Sequence, residues 1–239
     1  GVRVLTGTAL GPTMQAAVTA FVARFPDCKH VAWDVLHGSG VLDAHARTHG
    51  LRIAPRVRLE RAEVIASFDA DFLGTWVSPV EFAAAYREGR SLAGDHTRFS
   101  YHAQVESRMS LTGSRADHRL RTTPHETRAL LAGVAQRIGA NAGVAAPFAA
   151  VTLSGALSKA ADDLANRLWE AKGKGVVLCG LTDADAQSVA NFANHLLGAY
   201  GTVLDLATPS RQLQGDDRAM ATLLAELKDG KVGALVIIG

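Results

Sequence analysis

Cysteine is scarce in this chain: its 239 residues hold two, Cys28 and Cys179, far apart and in neither a C-x-x-C pair nor a clustered framework. Iron–sulfur ligation by this stretch alone is therefore excluded, because such clusters take about four thiolates. A dominant charge of one sign is also lacking. There are 25 Lys and Arg against 23 Asp and Glu, for a formal net charge of +2, so no global field of the kind that drives nucleic-acid binding is present. No apolar run reaches the roughly 18–20 residues that span a bilayer, and the N-terminus lacks a charged-then-apolar signal pattern. Fixed-period repeats, charge blocks and low-complexity tracts are missing as well. What remains is an ordinary globular composition, 48% hydrophobic and 20% charged, in a chain long enough to bury roughly three quarters of its unfolded surface.

Short apolar, β-branched runs alternate with long helical periodicities, which predicts an α/β fold of Rossmann-like three-layer units with mostly parallel sheets. The runs place strands at Val2–Thr6, His30–Trp33, Glu63–Phe68, Tyr101–Glu106, Val176–Cys179, Thr202–Leu204 and Leu235–Ile238. Helices are expected near 12–25, 38–48, 78–88, 125–138, 155–172, 184–199 and 216–228. Ser78-Pro79 and Thr123-Pro124 read as helix starts, each an N-cap followed by a first-turn proline. The small-residue stretch Gly139 to Pro147 suggests a boundary between two halves, 1–140 and 148–239. Both chain ends read as core strands with almost nothing outside them, so the expectation is a piece excised from a larger polypeptide, its second half truncated.

Candidate chemistry is sparse. Thr6 to Thr13 is a small-residue turn opening a helix whose amides could hold an anion, but it has neither G-x-G-x-x-G spacing nor a G-K-[ST] ending. Asp34 stands where a dehydrogenase would carry its ribose-binding acid, without that glycine fingerprint. Ser39 in His37-Gly38-Ser39-Gly40 lacks nucleophile-elbow order and reads as a helix cap. His45 and His49 share a helix face with no third ligand, and Asp69 and Asp71 follow a strand as possible cation ligands or loop caps. Arg52, Arg56, Arg58 and Arg61 surround Pro55, either as a solvated basic loop or as a docking patch for an acidic partner or anionic lipid.

The most informative stretch is 105–126, VESRMSLTGSRADHRLRTTPHE. A strand end leads to Thr112-Gly113, then Ala116-Asp117-His118, then an Arg-flanked stretch closed by Pro124. This order resembles a segment of the molybdopterin oxidoreductase superfamily, roughly D-P-x-x-T-x-x-A-x-x-A-D-x-x-L-P-I-R-P-G-T-D. Other stretches are similar to that family too: Leu5-Thr6-Gly7 with Gly11-Pro12-Thr13, Arg61 through Trp76 with Ser78-Pro79, the helix from Ser154 to Lys172 with Gly175 to Gly180, and Leu235 to Gly239. The phrases Ala70-Asp71-Phe72-Leu73-Gly74, Glu106-Ser107 with Leu111-Thr112-Gly113, and Ala116 through Leu120 most resemble the large iron–sulfur subunit of bacterial alternative complex III, a quinol-oxidising electron-transfer assembly.

That resemblance implies a non-catalytic structural and docking domain in a membrane-associated respiratory complex on the exported, periplasmic face of the bacterial inner membrane. Its partners would be the other subunits of that complex, with no nucleic acid and no direct membrane span. It implies no cofactor in this stretch and iron–sulfur clusters elsewhere in the parent protein. The family's closing Gly-Thr-Asp serves the guanine end of the pterin cofactor, and here the position reads Pro124-His125-Glu126. Thr112, Gly113, Asp117, His125 and Glu126 are then vestigial cofactor positions. No residue is assigned as catalytic or metal-binding. Two alternatives stay open: a fragment of a genuine molybdopterin enzyme that binds the guanine dinucleotide near Asp117, His125 and Glu126, and an unrelated α/β ligand-binding module or hydrolase using the Gly7–Thr13 or His37–Gly40 turns.

Overall fold

The computed structural model of the chain describes residues 1–36, 39–92 and 99–239. Its strands are β1 (Val2–Thr6), β2 (Cys28–Ala32), β3 (Ala54–Val57), β4 (Val64–Phe68), β5 (Tyr101–Glu106), β6 (His118–Arg121), β7 (Gly175–Cys179), β8 (Leu204–Ser210) and β9 (Ala234–Ile238). The helices are α1 (Pro12–Ala23), α2 (Gly40–His49), α3 (Pro79–Glu88), α4 (Pro124–Asn141), α5 (Gly155–Glu170), α6 (Ala184–Leu196) and α7 (Asp217–Lys228). Two sheets are parallel, one in the order β2-β1-β9 and one in the order β6-β5-β4-β7; β3 and β8 form a separate antiparallel pair. This is the Rossmann-like α/β architecture that the alternating pattern predicted.

The four-stranded sheet carries most of the core. Because both of its faces are covered, β7 is apolar at every position after its glycine and buried throughout, as parallel strands between helical layers are. Ala66, Phe68, Ala103, Val105, Val177 and Cys179 point to a layer built by α4, α5 and α6. Ile65, Val176 and Leu178 point the other way, toward Phe72, Phe82 and Tyr86.

The division expected at 139–147 does not follow the sheets. β4 pairs with β7 and β1 pairs with β9, so each parallel sheet takes strands from both sides of that stretch. The physical reason is that the Gly/Ala-rich connection turns α4 back toward α5 over one sheet face and does not separate two cores. It is tied to α4, where Gln136 Nε2 donates to the Ala149 carbonyl at 2.9 Å, while Phe148 and Leu153 pack on the shared core.

β5 departs from the apolar rule. Its second face presents His102, Gln104 and Glu106, each at most 1% exposed. Glu106 only accepts, so the Gln104 amide nitrogen donates to it at 3.2 Å and the amide oxygen faces His102 Nε2 at 3.3 Å. His102 Nε2 therefore carries a hydrogen, and Nδ1 lies 3.1 Å from the Tyr86 hydroxyl, which also donates to the Arg115 carbonyl. Burial pushes this imidazole down to about 4. The unfolded chain thus binds a proton below its ordinary value of about 6.5, whereas the folded chain refuses it until about pH 4. The stabilisation from the neutral ring is complete above that upper value and drains away as pH falls toward the lower one, about 2 kcal/mol of it between pH 7 and 5. Denaturant midpoints across that range should show the loss, and His102→Gln should reduce it. An NMR titration placing the folded His102 near 6.5 would contradict the assignment.

Candidate functional site

In an open parallel sheet, ligands gather outside the carboxyl ends of the strands where the strand order reverses. Here the chain leaves β4 for β5 on one side and returns as β7 on the other, so the reversal lies between β4 and β7. A cleft of about 490 Å³ opens there, lined among others by Asp69, Asp71, Trp76, Glu106, Arg108 and Gly180. Asp69 directly follows β4, Ser107 and Arg108 follow β5, and Gly180 follows β7.

The backbone at this cleft is strained. Asp69 has φ 56° and Val77 φ 54°, the non-glycine residues with positive φ among those described. Asp tolerates the left-handed region; a β-branched valine there is a true outlier, at a cost of about 1–3 kcal/mol. Val77 is the middle of a three-residue turn closed by the Ser78 N–H to the Trp76 carbonyl at 2.8 Å. Asp69 is pinned on the sheet side, its N–H donating to the Val105 carbonyl at 2.8 Å.

Most polar groups around the cleft are consumed internally. Glu106 accepts from Gln104, from the Ser110 N–H at 3.1 Å and hydroxyl at 2.6 Å, and from Arg119 Nε at 2.5 Å. Its desolvation favours protonation, yet these donors outweigh that and hold it below the usual carboxylate range. Asp71 accepts from the Thr112 hydroxyl at 2.8 Å and N–H at 3.1 Å. Asp69 behaves differently: desolvation, then the nearby Glu106 charge, raise its carboxyl.

The five positions that the family resemblance marks as vestigial cofactor contacts do not converge. Thr112 is fully buried and bridges Asp71 to the Leu73 N–H. Gly113 lies under Glu106, where a Cβ would sit 2.0 Å from Oε1. Asp117 lies at the opposite, amino end of the sheet. There it accepts the His102 N–H at 2.8 Å and binds Arg90 through both oxygens at 2.7 Å, and the Arg90 hydrogen bond is the main reason its carboxyl is held low. Glu126 closes a capping box with Thr123 at the start of α4, which lowers its carboxyl. His125 lies on the wall of a separate groove of about 910 Å³ whose floor includes Leu131, Val189 and Phe192.

Other sequence candidates are occupied structurally. In the turn after β1, the Thr8 N–H donates to Asp34 at 2.7 Å, the Thr8 hydroxyl also donates to Asp34, and Gln15 and Gln214 fill the Ala9 carbonyl. Asp34 thus closes the loop onto itself. Ser39 is buried and donates to Asp43 at 2.7 Å, while Asp217 accepts its N–H at 2.9 Å; His37 and Gly38 lie outside the described residues. His45 Nδ1 donates to the Val41 carbonyl at 2.8 Å and Nε2 faces the Tyr200 hydroxyl at 3.2 Å. Among the described residues no group of three or more His, Cys, Asp or Glu could hold a metal ion. Burial raises the Cys179 thiol to about 12, so it is inert.

The arginines around Pro55 are not a free loop. β3 passes through them, Arg52 pairs with Asp43 at 3.0 Å, Arg56 with Glu81, and Arg58 with Asp205 at 3.3 Å, and Arg61 donates to the Thr202 carbonyl. Of the residues that shape the cleft, Gly180 closes a stretch that resembles the family pattern but had no role read from it, and Arg108 carried no signal as a motif. Their one legible sign is position, each within two residues of a parallel strand's carboxyl end. No family model and no curated protein matches the chain.

Proposed function

We propose that the chain is a non-catalytic, molybdopterin-oxidoreductase-like structural and docking domain of an iron–sulfur subunit. The assembly would be a membrane-associated, quinol-oxidising respiratory complex on the exported face of a bacterial inner membrane, with the clusters outside residues 1–239. Among the described residues no helix is long and apolar enough to cross a membrane, so in this reading membrane attachment comes through partner subunits. The observation that carries the reading is what the carboxylates of 105–126 are doing. An acid recognising guanine must offer both oxygens to paired N–H donors, an interaction worth about 1.5–3 kcal/mol. Asp117 has given both oxygens to Arg90, and Glu126 is committed to the first turn of α4. Either would have to surrender an existing charge-assisted bond to take a nucleotide.

The second support is electrostatic. Among the described residues, the cleft at the strand reversal is lined by Asp69, Asp71 and Glu106 with Arg108 as its one Lys or Arg, a setting that repels a pyrophosphate. Calorimetry with GDP at millimolar concentration should give no binding heat, and the parent protein purified from its source should contain iron without stoichiometric molybdenum or tungsten. A bound pterin, or saturable GDP binding lost in Asp117→Asn or Glu126→Gln, would sink the reading.

A further inference from the structure

Subtracting the internally satisfied groups from the cleft at the β4/β7 reversal leaves a specific remainder. Asp71 and Glu106 are filled by Thr112, Ser110 and Arg119, and Gln187 Nε2 donates to the Cys179 and Leu181 carbonyls at 2.8 and 2.7 Å. Among the described residues the exposed Asp69 carboxylate accepts no hydrogen bond, the exposed Arg108 donates none, and no ion pair within 4.0 Å joins them, although the Arg108 charge reaches Asp69. The two are opposite charges facing one cavity of about 490 Å³, within the usual size range for small-molecule sites. Asp69 does not drift there on a flexible loop. Its φ of 56°, its N–H bond to Val105 and its carbonyl packed on Gly180 fix the direction in which it leaves the sheet. Trp76, Leu36 and Leu213 give the same cavity an apolar side.

A ligand complementary to this remainder carries both a cation and an anion, with an apolar group beside them. We propose that the cleft binds a small zwitterion of the α-amino-acid type, its ammonium on Asp69, its carboxylate on Arg108 and an apolar side chain against Trp76. The Ser107 and Thr182 hydroxyls, which carry no hydrogen bond among the described residues, sit at the same cavity as further donors. Pairing the ammonium with Asp69 also relieves the unfavourable desolvation of that carboxylate, since an opposite charge within about 4–6 Å favours the ionised form. The proposal is independent of the scaffold reading: a domain without redox chemistry can hold such a ligand, and failure of one leaves the other standing.

The test uses L-phenylalanine and L-leucine as probes, added to the intact chain up to about 10 mM and followed by amide NMR shifts and calorimetry. Shifts are expected at 69–77, 107–110 and 180–182, with affinity falling about tenfold or more in Asp69→Asn and in Arg108→Gln. Asn tolerates the left-handed backbone at 69, so the first variant removes the charge and keeps the turn. On the unmodified chain, N-acetyl-L-phenylalanine and L-phenylalaninamide each lack one charge and should bind about tenfold more weakly, which keeps the test valid if a variant misfolds. Absence of shifts at the cleft with both amino acids, or an affinity for either blocked derivative equal to that for L-phenylalanine, overturns the proposal.

Discussion

Glu106→Leu is expected to lower the unfolding free energy by about 3–5 kcal/mol, because it strips the shared acceptor from a set of buried donors. The carboxylate is 1% exposed, and donors from Gln104, Ser110 and Arg119 occupy its acceptor positions. Removing it orphans the Arg119 guanidinium, 23% exposed at its side chain, and leaves the Gln104 amide pointing at a methyl group. The near-isosteric Glu106→Gln should not rescue the fold. The Ser110 N–H and Arg119 Nε are fixed donors that the new amide oxygen must face, its NH2 is then accepted only if the Ser110 hydroxyl rotates or Gln104 flips against His102, and Arg119 loses its charged partner, so a loss of about 2 kcal/mol or more remains. Urea unfolding of the three proteins at pH 7 provides the comparison. A Glu106→Gln variant as stable as the parent would mean that the carboxylate is not the acceptor hub described here.

The same side chain shows what was legible in the sequence. Tyr101–Glu106 reads as a strand from its alternation and is one, with the expected bounds, but alternation alone gives Ala103 and Val105 a buried face and leaves His102, Gln104 and Glu106 to solvent. In the fold both faces are covered, so the polar face became a buried ladder. β6 and β3 were missed for a related reason: each is short, Arg-bearing and on a sheet margin, where charged residues are what an edge strand uses against unwanted pairing. β8 was expected at Thr202–Leu204 and lies at Leu204–Ser210, because its antiparallel partner β3 was not in view. The residues that the resemblance marks as cofactor positions do not come together, because 107–117 runs from the carboxyl end of β5 back to the amino end of β6. Thr112 and Asp117, five residues apart in sequence, therefore serve opposite ends of one sheet. The cleft's unengaged charges, Asp69 and Arg108, follow adjacent strands, and only the order β5-β4-β7 brings them together.

Gly180→Ala is expected to cost about 3 kcal/mol or more and to damage the cleft as well as the fold. A Cβ at 180 would lie 2.1 Å from the Asp69 carbonyl oxygen, 2.5 Å from its carbon and 2.7 Å from the Ala70 nitrogen. All three contacts are backbone, so no side chain can swing aside. Relief requires β7 to separate from β4 just where Cys179 pairs with Phe68 and the Gly180 N–H donates to the Phe68 carbonyl at 2.8 Å. Overpacking elsewhere costs about 1–3 kcal/mol; here the displaced atoms also hold Asp69 in its positive-φ turn, so the carboxylate should lose its fixed direction. Thermal denaturation should show the stability loss. Amide shifts at 69–71 should change more than those at the amino end of the sheet, around His102 and Asp117. A Gly180→Ala protein with parent-like stability and unshifted signals at 69–71 would show that the end of β7 approaches the Asp69 turn less closely than described. The glycine's presence is explained by that contact alone, since Gly180 is not among the glycines with positive φ; only the missing side chain is needed.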